Sequence, residues 1–391
     1  MPIPVKNHRV ILSSSFKTLS KKYQQKSSVE GFRKNCLLIK VVKMSETLPP
    51  LVDELALADY LAKQFSGKSA PLSAVRVGDG HSNETFLISW GEEKMILRRP
   101  PRGPLLPTAH DVKREHTFIS ALYSTALPVP KPILMCEDTS IIGAPFYLME
   151  YLPGVIINRK LPEGFESAAE CKNIADQTIQ TLATLHSIDY NSIGLGNVGK
   201  PAGYLERQLK RWSDQLARTL PHTRPMPMLE KVGEWLKEHM PASPSATIVH
   251  GDFRIDNMIF APQPPTRVIG VLDWEMATIG DPLADLGYLL SFWAEANDPV
   301  GSSVLEVSAL TRNPGFPTRH EITEYYAELT GRKMTDINFY VALAIWKLAV
   351  LSEGSYARYL AGTTDDPIFA KYDKHIPELA NRAWRVCQGG Y

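Results

Sequence analysis

Three polar side chains stand at set intervals beside apolar runs, in an arrangement suited to phosphoryl transfer. Residues 248–257 read Ile-Val-His-Gly-Asp-Phe-Arg-Ile-Asp-Asn, and residues 271–275 read Val-Leu-Asp-Trp-Glu. Asp252 therefore follows one apolar run, Asn257 comes five positions later, and Asp273 ends a second run, Val268–Leu272. Taken singly, each is more simply a turn or capping residue, because Gly, Asp and Asn are ordinary turn formers. Together they supply what phosphoryl transfer asks of a protein, which is mostly positioning and charge. A carboxylate beside an acceptor hydroxyl can take its proton, assistance worth roughly 10²–10⁴-fold, or about 3–5 kcal/mol. Magnesium prefers hard oxygen ligands, and Asn257 offers a neutral oxygen where Asp273 offers a charged one. Asp252 is thus the expected catalytic base, Asn257 and Asp273 the expected metal ligands, Mg²⁺ the expected cofactor and ATP the expected co-substrate.

The same reaction needs cations and backbone N–H groups around the phosphates. Protein kinases provide them through H-R-D-x-x-x-x-N, an Asp of D-F-G, a Lys–Glu pair and a glycine-rich loop. Here Gly78-Asp79-Gly80-His81-Ser82-Asn83 lies between two expected strands, so Gly78, Gly80, Ser82 and Asn83 are candidate nucleotide contacts. Asn83 stands where a third glycine would be, and an ordinary hairpin loop is an equally good reading. Arg98 occupies the position of the cation, and Glu115, in Asp-Val-Lys-Arg-Glu-His, that of its carboxylate partner. Arginine binds phosphate bidentately and stays charged, so it can replace lysine. Period two allows only one of Arg98 and Arg99 to face the cleft, and the choice rests on strand register. Glu150, Tyr151 and Leu152 form a candidate hinge, where an adenine ring would meet backbone groups. His250 is expected to brace its loop by hydrogen bonds and Trp274 to pack. Asp281 and Asp285, in Gly-Asp-Pro-Leu-Ala-Asp-Leu, open a helix that they could simply cap.

These residues need elements to hold them. Leu51, Leu55, Ala58, Ala62 and Phe65 recur at helical spacing up to Ser66-Gly67. Strands are expected at Leu72–Val77, Glu84–Trp90, Lys94–Arg98, Pro132–Cys136 and Phe146–Tyr151, with a helix at Asp111–Leu122 between the third and fourth. Leu152-Pro153-Gly154 is a turn signal and the expected boundary between two lobes. Beyond it the pattern is mainly helical, with helices around Ile174–Leu185, Tyr204–Leu220, Met228–Met240, Pro282–Glu295, Arg319–Gly331 and Thr335–Leu360. A strand-rich insert at Thr247–His250, Met258–Phe260 and Val268–Asp273 carries the motif. The expected class is α+β and bilobal. Its parts are a basic leader at 1–43, an N-lobe at 44–152 of small antiparallel-sheet type, and a larger, mainly helical C-lobe at 153–391.

Composition narrows the setting. With 391 residues, 44% hydrophobic and 22% charged, the chain can bury a sizeable core without staples. No membrane span is expected, since the most apolar stretch, Val341–Leu351, is broken by Lys347. Cys36, Cys136, Cys171 and Cys387 are far apart and form no CxxC pair, so a reducing compartment, the cytoplasm, is the default. Residues 1–43 carry ten Lys/Arg against the single acid Glu30. That composition suits a disordered leader or, with mitochondrial location as the alternative, a transit peptide; Met44 also begins a stretch like an ordinary amino terminus. No aromatic interleaving accompanies the charge, so nucleic acid is not an expected partner.

The pattern V-H-G-D-F-R-I-D-N-M-I-F followed by V-L-D-W-E-M-A-T-I-G-D-P-L-A-D-L-G-Y resembles the aminoglycoside phosphotransferase and choline kinase-like family, over roughly Leu72 to Leu360. That resemblance implies a protein-kinase-like fold, a base at Asp252, magnesium at Asn257 and Asp273, and support of the catalytic loop by Asp281 and Asp285. A narrower likeness, in Arg98–Gly103, Tyr204–Leu216 and H-G-D-F-R-I-D-N, is to the kinase domain of acyl-CoA dehydrogenase family members 10 and 11. It implies phosphorylation of a small-molecule hydroxyl acceptor, a 4-hydroxyacyl-CoA. Because the sequence ends at Tyr391, a separate acyl-CoA dehydrogenase is the expected partner for the next step. An amino-sugar or amino-alcohol kinase is the alternative. Polycationic acceptors call for carboxylates and CoA esters for cations. Arg207, Lys210, Arg211 and Arg218 lie near one face of an expected helix, which favours an anionic acceptor, although a solvated basic face fits equally well. Glu353, Asp365 and Asp366 could form an opposing acidic patch. A silent nucleotide-binding regulator should have lost Asp252, Asn257 or Asp273, and none is lost; a scaffold acting through the basic leader is a third reading. Asp252→Ala should abolish phosphoryl transfer and leave Mg-ATP binding largely intact. Full activity in that variant would remove the base assignment.

Overall fold

The alternation of Phe86, Ile88 and Trp90 becomes the buried face of a strand in the computed structural model. Residues 50–390 are described, apart from 66–69, 79–82, 103–110, 244, 299–308 and 365–366. The leader 1–43, Gly80, Ser82, Asp365 and Asp366 lie outside the described residues.

Five strands form one antiparallel sheet: β1 (Leu72–Arg76), β2 (Glu84–Trp90), β3 (Glu93–Arg99), β4 (Pro132–Cys136) and β5 (Phe146–Glu150). Their spatial order is β1-β2-β3-β5-β4. One face packs on α1 (Glu54–Gln64), where Leu57 and Leu61 join Phe86, Ile88, Leu97, Phe146 and Leu148 in a small core. Asp53 caps that helix by accepting the N–H of Ala56 at 3.0 Å. The other face receives α2 (Val112–Leu122), capped by Asp111 through the N–H of Arg114 at 3.0 Å. Phe118 of α2 stacks on Trp274, with ring centroids 6.3 Å apart and planes within 9°. Sheet and helical region thus share a core that includes Phe118, Tyr147 and Met149 on one side and Trp274 on the other.

The helical region comprises α3 (Ala168–Ser187), α4 (Tyr204–Thr219), α5 (Pro227–Glu238), α6 (Leu283–Ser291), α7 (Arg319–Thr330), α8 (Ile337–Leu360) and α9 (Tyr372–Cys387). A capping box of Thr318 and Glu321 starts α7 and Gly331, at φ 67°, ends it. Two small antiparallel sheets are set among these helices. One pairs β7 (Thr247–Val249) with β10 (Thr278–Gly280); the other orders β6 (Val155–Ile156), β8 (Met258–Phe260) and β9 (Val268–Val271) as β6-β8-β9. Neither β6 nor β10 is legible in the sequence, because two or three residues are too few to show a period. Helix α9 is a further addition to the expected elements. It contains Pro377, which reads locally as a helix breaker, yet Ile376, Leu379, Ala380 and Ala383 are buried and tie it into the core.

Helix α8 is long and apolar enough in composition to cross a bilayer, with a mean hydropathy of 1.3 over its best window. Yet 72% of that window is packed inside the protein. It is the central core helix. Gly287 of α6 lets the two helices touch: a Cβ there would lie 2.5 Å from the Tyr340 carbonyl carbon. Gly287→Ala should therefore destabilise the fold by about 1–3 kcal/mol, the usual cost of overpacking. Chemical denaturation reads this directly, and an unchanged midpoint would refute the close approach.

Candidate active site

Each part of the motif sits at the end of a short strand. The chain leaves β7 into His250-Gly251-Asp252, turns through a 3₁₀ segment at Ile255–Asn257, and enters β8. Gly251 has φ 85°, and a Cβ there would come within 2.8 Å of the Met276 carbonyl oxygen, so glycine is required. The loop hangs on one buried carboxylate. Asp285 Oδ2 accepts the His250 N–H at 2.6 Å and Oδ1 accepts the Gly251 N–H at 2.7 Å. His186 lies 3.3 Å from the same Oδ2 and 2.7 Å from the Tyr326 hydroxyl. Burial lowers the His186 pKa, with Asp285 opposing the shift.

His250 has the bracing geometry. Its Nε2 donates to the Leu272 carbonyl at 2.8 Å, which leaves Nδ1 to accept the Asp252 N–H at 3.2 Å. The ring also packs against Trp274, with centroids 4.7 Å apart. Asp281 and Asp285 divide the two roles open to them. Asp281 caps, accepting the Leu283 N–H at 3.0 Å and the Tyr340 hydroxyl at 2.7 Å, whereas Asp285 is turned onto the loop.

Asn257 donates both of its bonds to Asp252, one to the backbone carbonyl at 2.8 Å and one to Oδ2 at 2.9 Å. Its amide oxygen is the atom left for a cation. Arg254 Nε lies 3.2 Å from Asp252 Oδ1, and the guanidinium also rests on the Phe292 ring at 4.7 Å. Burial works against the Arg254 charge, but Asp252 and other neighbours outweigh it and raise its pKa. Burial, then the Asp252 carboxylate, pushes the Tyr288 hydroxyl well above its ordinary range.

Asp273 completes the set from the end of β9. Its φ of 66° is the only left-handed conformation of a non-glycine among the described residues. Such a backbone costs of order 1–3 kcal/mol and persists only where the surroundings impose it. The next residue, Trp274, is fully buried and donates its indole N–H to the Val271 carbonyl at 3.0 Å. Asp273 Oδ1 lies 3.2 Å from Arg98, which is also 2.9 Å from Glu115 Oε1. Glu115 accepts two more bonds, from Asn83 at 2.9 Å and from the Tyr147 hydroxyl at 2.7 Å. Burial raises the Glu115 carboxyl and Arg98 offsets part of the rise. Burial also works against Arg98, but Glu115 and Asp273 outweigh it and hold its pKa above the ordinary value. Arg99 faces away, bonding the carbonyls of Pro100 at 3.1 Å and Ile142 at 3.0 Å. Strand register therefore assigns the cleft to Arg98. Carboxylate oxygens of Glu115, Asp273 and Glu275 all come within 4.8 Å of one another, a set of hard donors that suits a divalent cation.

The remaining candidates are placed less centrally. Gly78 has φ 86° with open space around it, as a covering loop needs. In the hinge segment the Glu150 N–H is taken by Lys131 at 2.9 Å and the Leu152 carbonyl by Gly154 at 3.0 Å. Two of its backbone groups are thus already engaged, while the Tyr151 side chain is 37% exposed. Arg207, Lys210 and Arg211 do not line the cleft beside Asp252. Arg207 bonds the carbonyls of Lys200 and Ala202, Lys210 pairs with Asp214 at 2.8 Å, and Arg211 lies over Trp212 at 4.9 Å. They make a solvated helix face, because their helix buries its opposite, apolar side. The cations that do line the cleft are Arg254 and Lys347. Arg254 lay unremarked inside the motif itself; Lys347 was signalled as the one charge in an apolar run.

A strand-borne arginine paired to a helix glutamate, over a loop presenting Asp, Asn and a second Asp, defines a kinase-like phosphotransferase. Comparison with known proteins identifies the group: the chain belongs to the phosphotransferase enzyme family (APH), which matches residues 73–315. It is 37% identical over 348 residues to human acyl-CoA dehydrogenase family member 11, covering 86% of this chain and 44% of that protein. With mouse acyl-CoA dehydrogenase family member 10 it shares 35% over 335 residues, 83% of this chain and 31% of that one. The chain thus spans less than half the length of these relatives. A Ralstonia eutropha protein assigned as an aminoglycoside phosphotransferase superposes with a TM-score of 0.71 at 31% identity, covering 86% of this chain and 98% of the other.

Asp285→Asn keeps the shape of the side chain but turns an amide N–H toward a backbone N–H. It should lower kcat by about 10- to 100-fold and stability by about 1–3 kcal/mol. Steady-state kinetics with a wild-type kcat would show that the loop does not depend on this carboxylate.

Proposed function

We propose that the protein is an ATP-dependent kinase of a 4-hydroxyacyl-CoA, with Asp252 as base. The carboxylate takes the proton of the 4-hydroxyl as the oxygen attacks the γ-phosphorus. The new P–O bond forms, the bond from the γ-phosphorus to the bridging oxygen breaks, and ADP leaves with that oxygen. Arg98, held by Glu115, is suited to the phosphate chain, and Arg254 stands beside the base. Asn257 Oδ1 and Asp273, with Glu275 nearby, would hold Mg²⁺, which when bound neutralises charge on the phosphates.

One observation carries the choice of acceptor. The cleft beside Asp252, about 380 Å³, is walled by Met276, Phe292, Leu348, Leu351 and Ile368, with Lys347 and Arg254 as its cations and Asp252 and Glu275 as its carboxylates. Apolar walls suit an acyl chain, and cations suit a carbonyl or phosphate more than an amino sugar. The names of the two mammalian relatives support the same reading. In this scheme an acyl-CoA dehydrogenase acts next, eliminating the phosphate. ATP consumption should follow addition of 4-hydroxyacyl-CoAs and exceed that with amino sugars or choline-like alcohols. Turnover confined to amino sugars would overturn the acceptor assignment.

A further inference from the structure

Lys347 is the only charged residue in Val341–Leu351, and it projects from the core helix α8 into the cleft that holds Asp252. Its Nζ donates to the Gly251 carbonyl at 3.2 Å and lies 5.2 Å from the Tyr288 ring centre and 5.7 Å from that of Trp212. An ammonium has three donors. Among the described residues one is used, and no carboxylate comes within ion-pair distance of it. Burial lowers its pKa, while Asp252 and Asp285 act in the opposite direction and Arg211 adds to the lowering.

A buried ammonium is expensive unless something pairs with it. The Gly251 carbonyl takes one donor, and the Tyr288 and Trp212 rings give the charge further support, but neither offers it an anionic or second carbonyl acceptor. Lys347 lines a cavity whose wall combines Met276, Phe292, Leu348, Leu351 and Ile368 with the charged groups of Asp252, Arg254 and Glu275. The base that would receive the acceptor's proton lines the same cavity.

The geometry points to Lys347 as the residue that selects the acceptor: its free N–H groups take the thioester carbonyl oxygen of the substrate while Asp252 addresses the hydroxyl. This rests on the hydroxyacyl-CoA reading above and deepens it. The same charge keeps out acceptors that bring an ammonium to that position. Lys347 thus acts on specificity, and Asp252 on chemistry.

The test compares wild type and Lys347→Met on two acceptors, a 4-hydroxyacyl thioester and its thioether analogue, in which a methylene replaces the carbonyl. On the thioester, kcat/KM should fall by about 10- to 100-fold, chiefly through KM, the range for a hydrogen bond to a charged group. On the thioether, wild type should already be slow and the substitution should cost little more. Equal losses on both acceptors would overturn the proposal and leave Lys347 as a brace for Gly251. Lys347→Gln keeps one donor for that carbonyl; it should show the same difference between acceptors and serves where the Met variant does not fold. The free 4-hydroxy acid separates carboxylate from thioester: dependence on Lys347 with the acid alone would overturn the thioester assignment. A wild-type enzyme that phosphorylates amino sugars but no hydroxyacyl thioester overturns the parent reading, and that failure is read without any variant.

Discussion

The buried carboxylate of Asp285 is the fixed point of this site. Two backbone N–H groups, from His250 and Gly251, end on its two oxygens. Left unpaired in the interior, each would cost about 1–3 kcal/mol. The bonds therefore fix where the chain turns after β7, and that turn fixes Asp252. Asn257 is then fastened to Asp252, and the Leu272 N–H donates to the Asn257 backbone carbonyl at 2.8 Å, which carries the constraint to the strand that ends at Asp273. Three residues spread over 22 positions are held by one chain of hydrogen bonds.

Across the cleft, Arg98 ties the sheet to that loop. It meets Glu115 from α2 and Asp273 from β9 at once. Buried ion pairs are costly to form, and this one is tolerable because Glu115 also accepts bonds from Asn83 and Tyr147. A bound nucleotide–metal complex would meet Arg98, Asp273 and Glu275 already held close together. Preorganisation of this kind is where a phosphotransferase obtains most of its rate, since the reaction needs little else from the protein. Lys347 is a different case, a buried cation that gives one bond to the Gly251 carbonyl, with the Tyr288 and Trp212 rings near its ammonium.

Much of this was legible in the sequence, and the reasons are local. The period of two in β2 acts over a few residues, so it can be read without a fold. The motif was legible because its residues are brought together by short turns. Pairings across distance were not. That Arg98 and not Arg99 enters the cleft depends on register against β2 and β5. That Arg207 and Lys210 face solvent depends on which side of α4 is buried. β6 and β10 are too short to show a pattern, and α9 forms despite Pro377 because the core accepts its apolar face.

The sequence by itself determined the motif: Asp252, Asn257 and Asp273 at their spacing, beside apolar strands, are the set from which phosphoryl transfer is proposed. Only the tertiary structure decided what lines the cleft beside Asp252. The wall of that cleft is assembled from Met276, Phe292, Leu348 and Ile368, distant in the chain, and Arg254 and Asp252 of the motif share it with a lysine that the sequence shows only as an interruption in an apolar helix. The physical reason is that a local motif encodes its own geometry through short turns and hydrogen bonds. The character of a cavity is a sum over side chains that meet only when the helices pack.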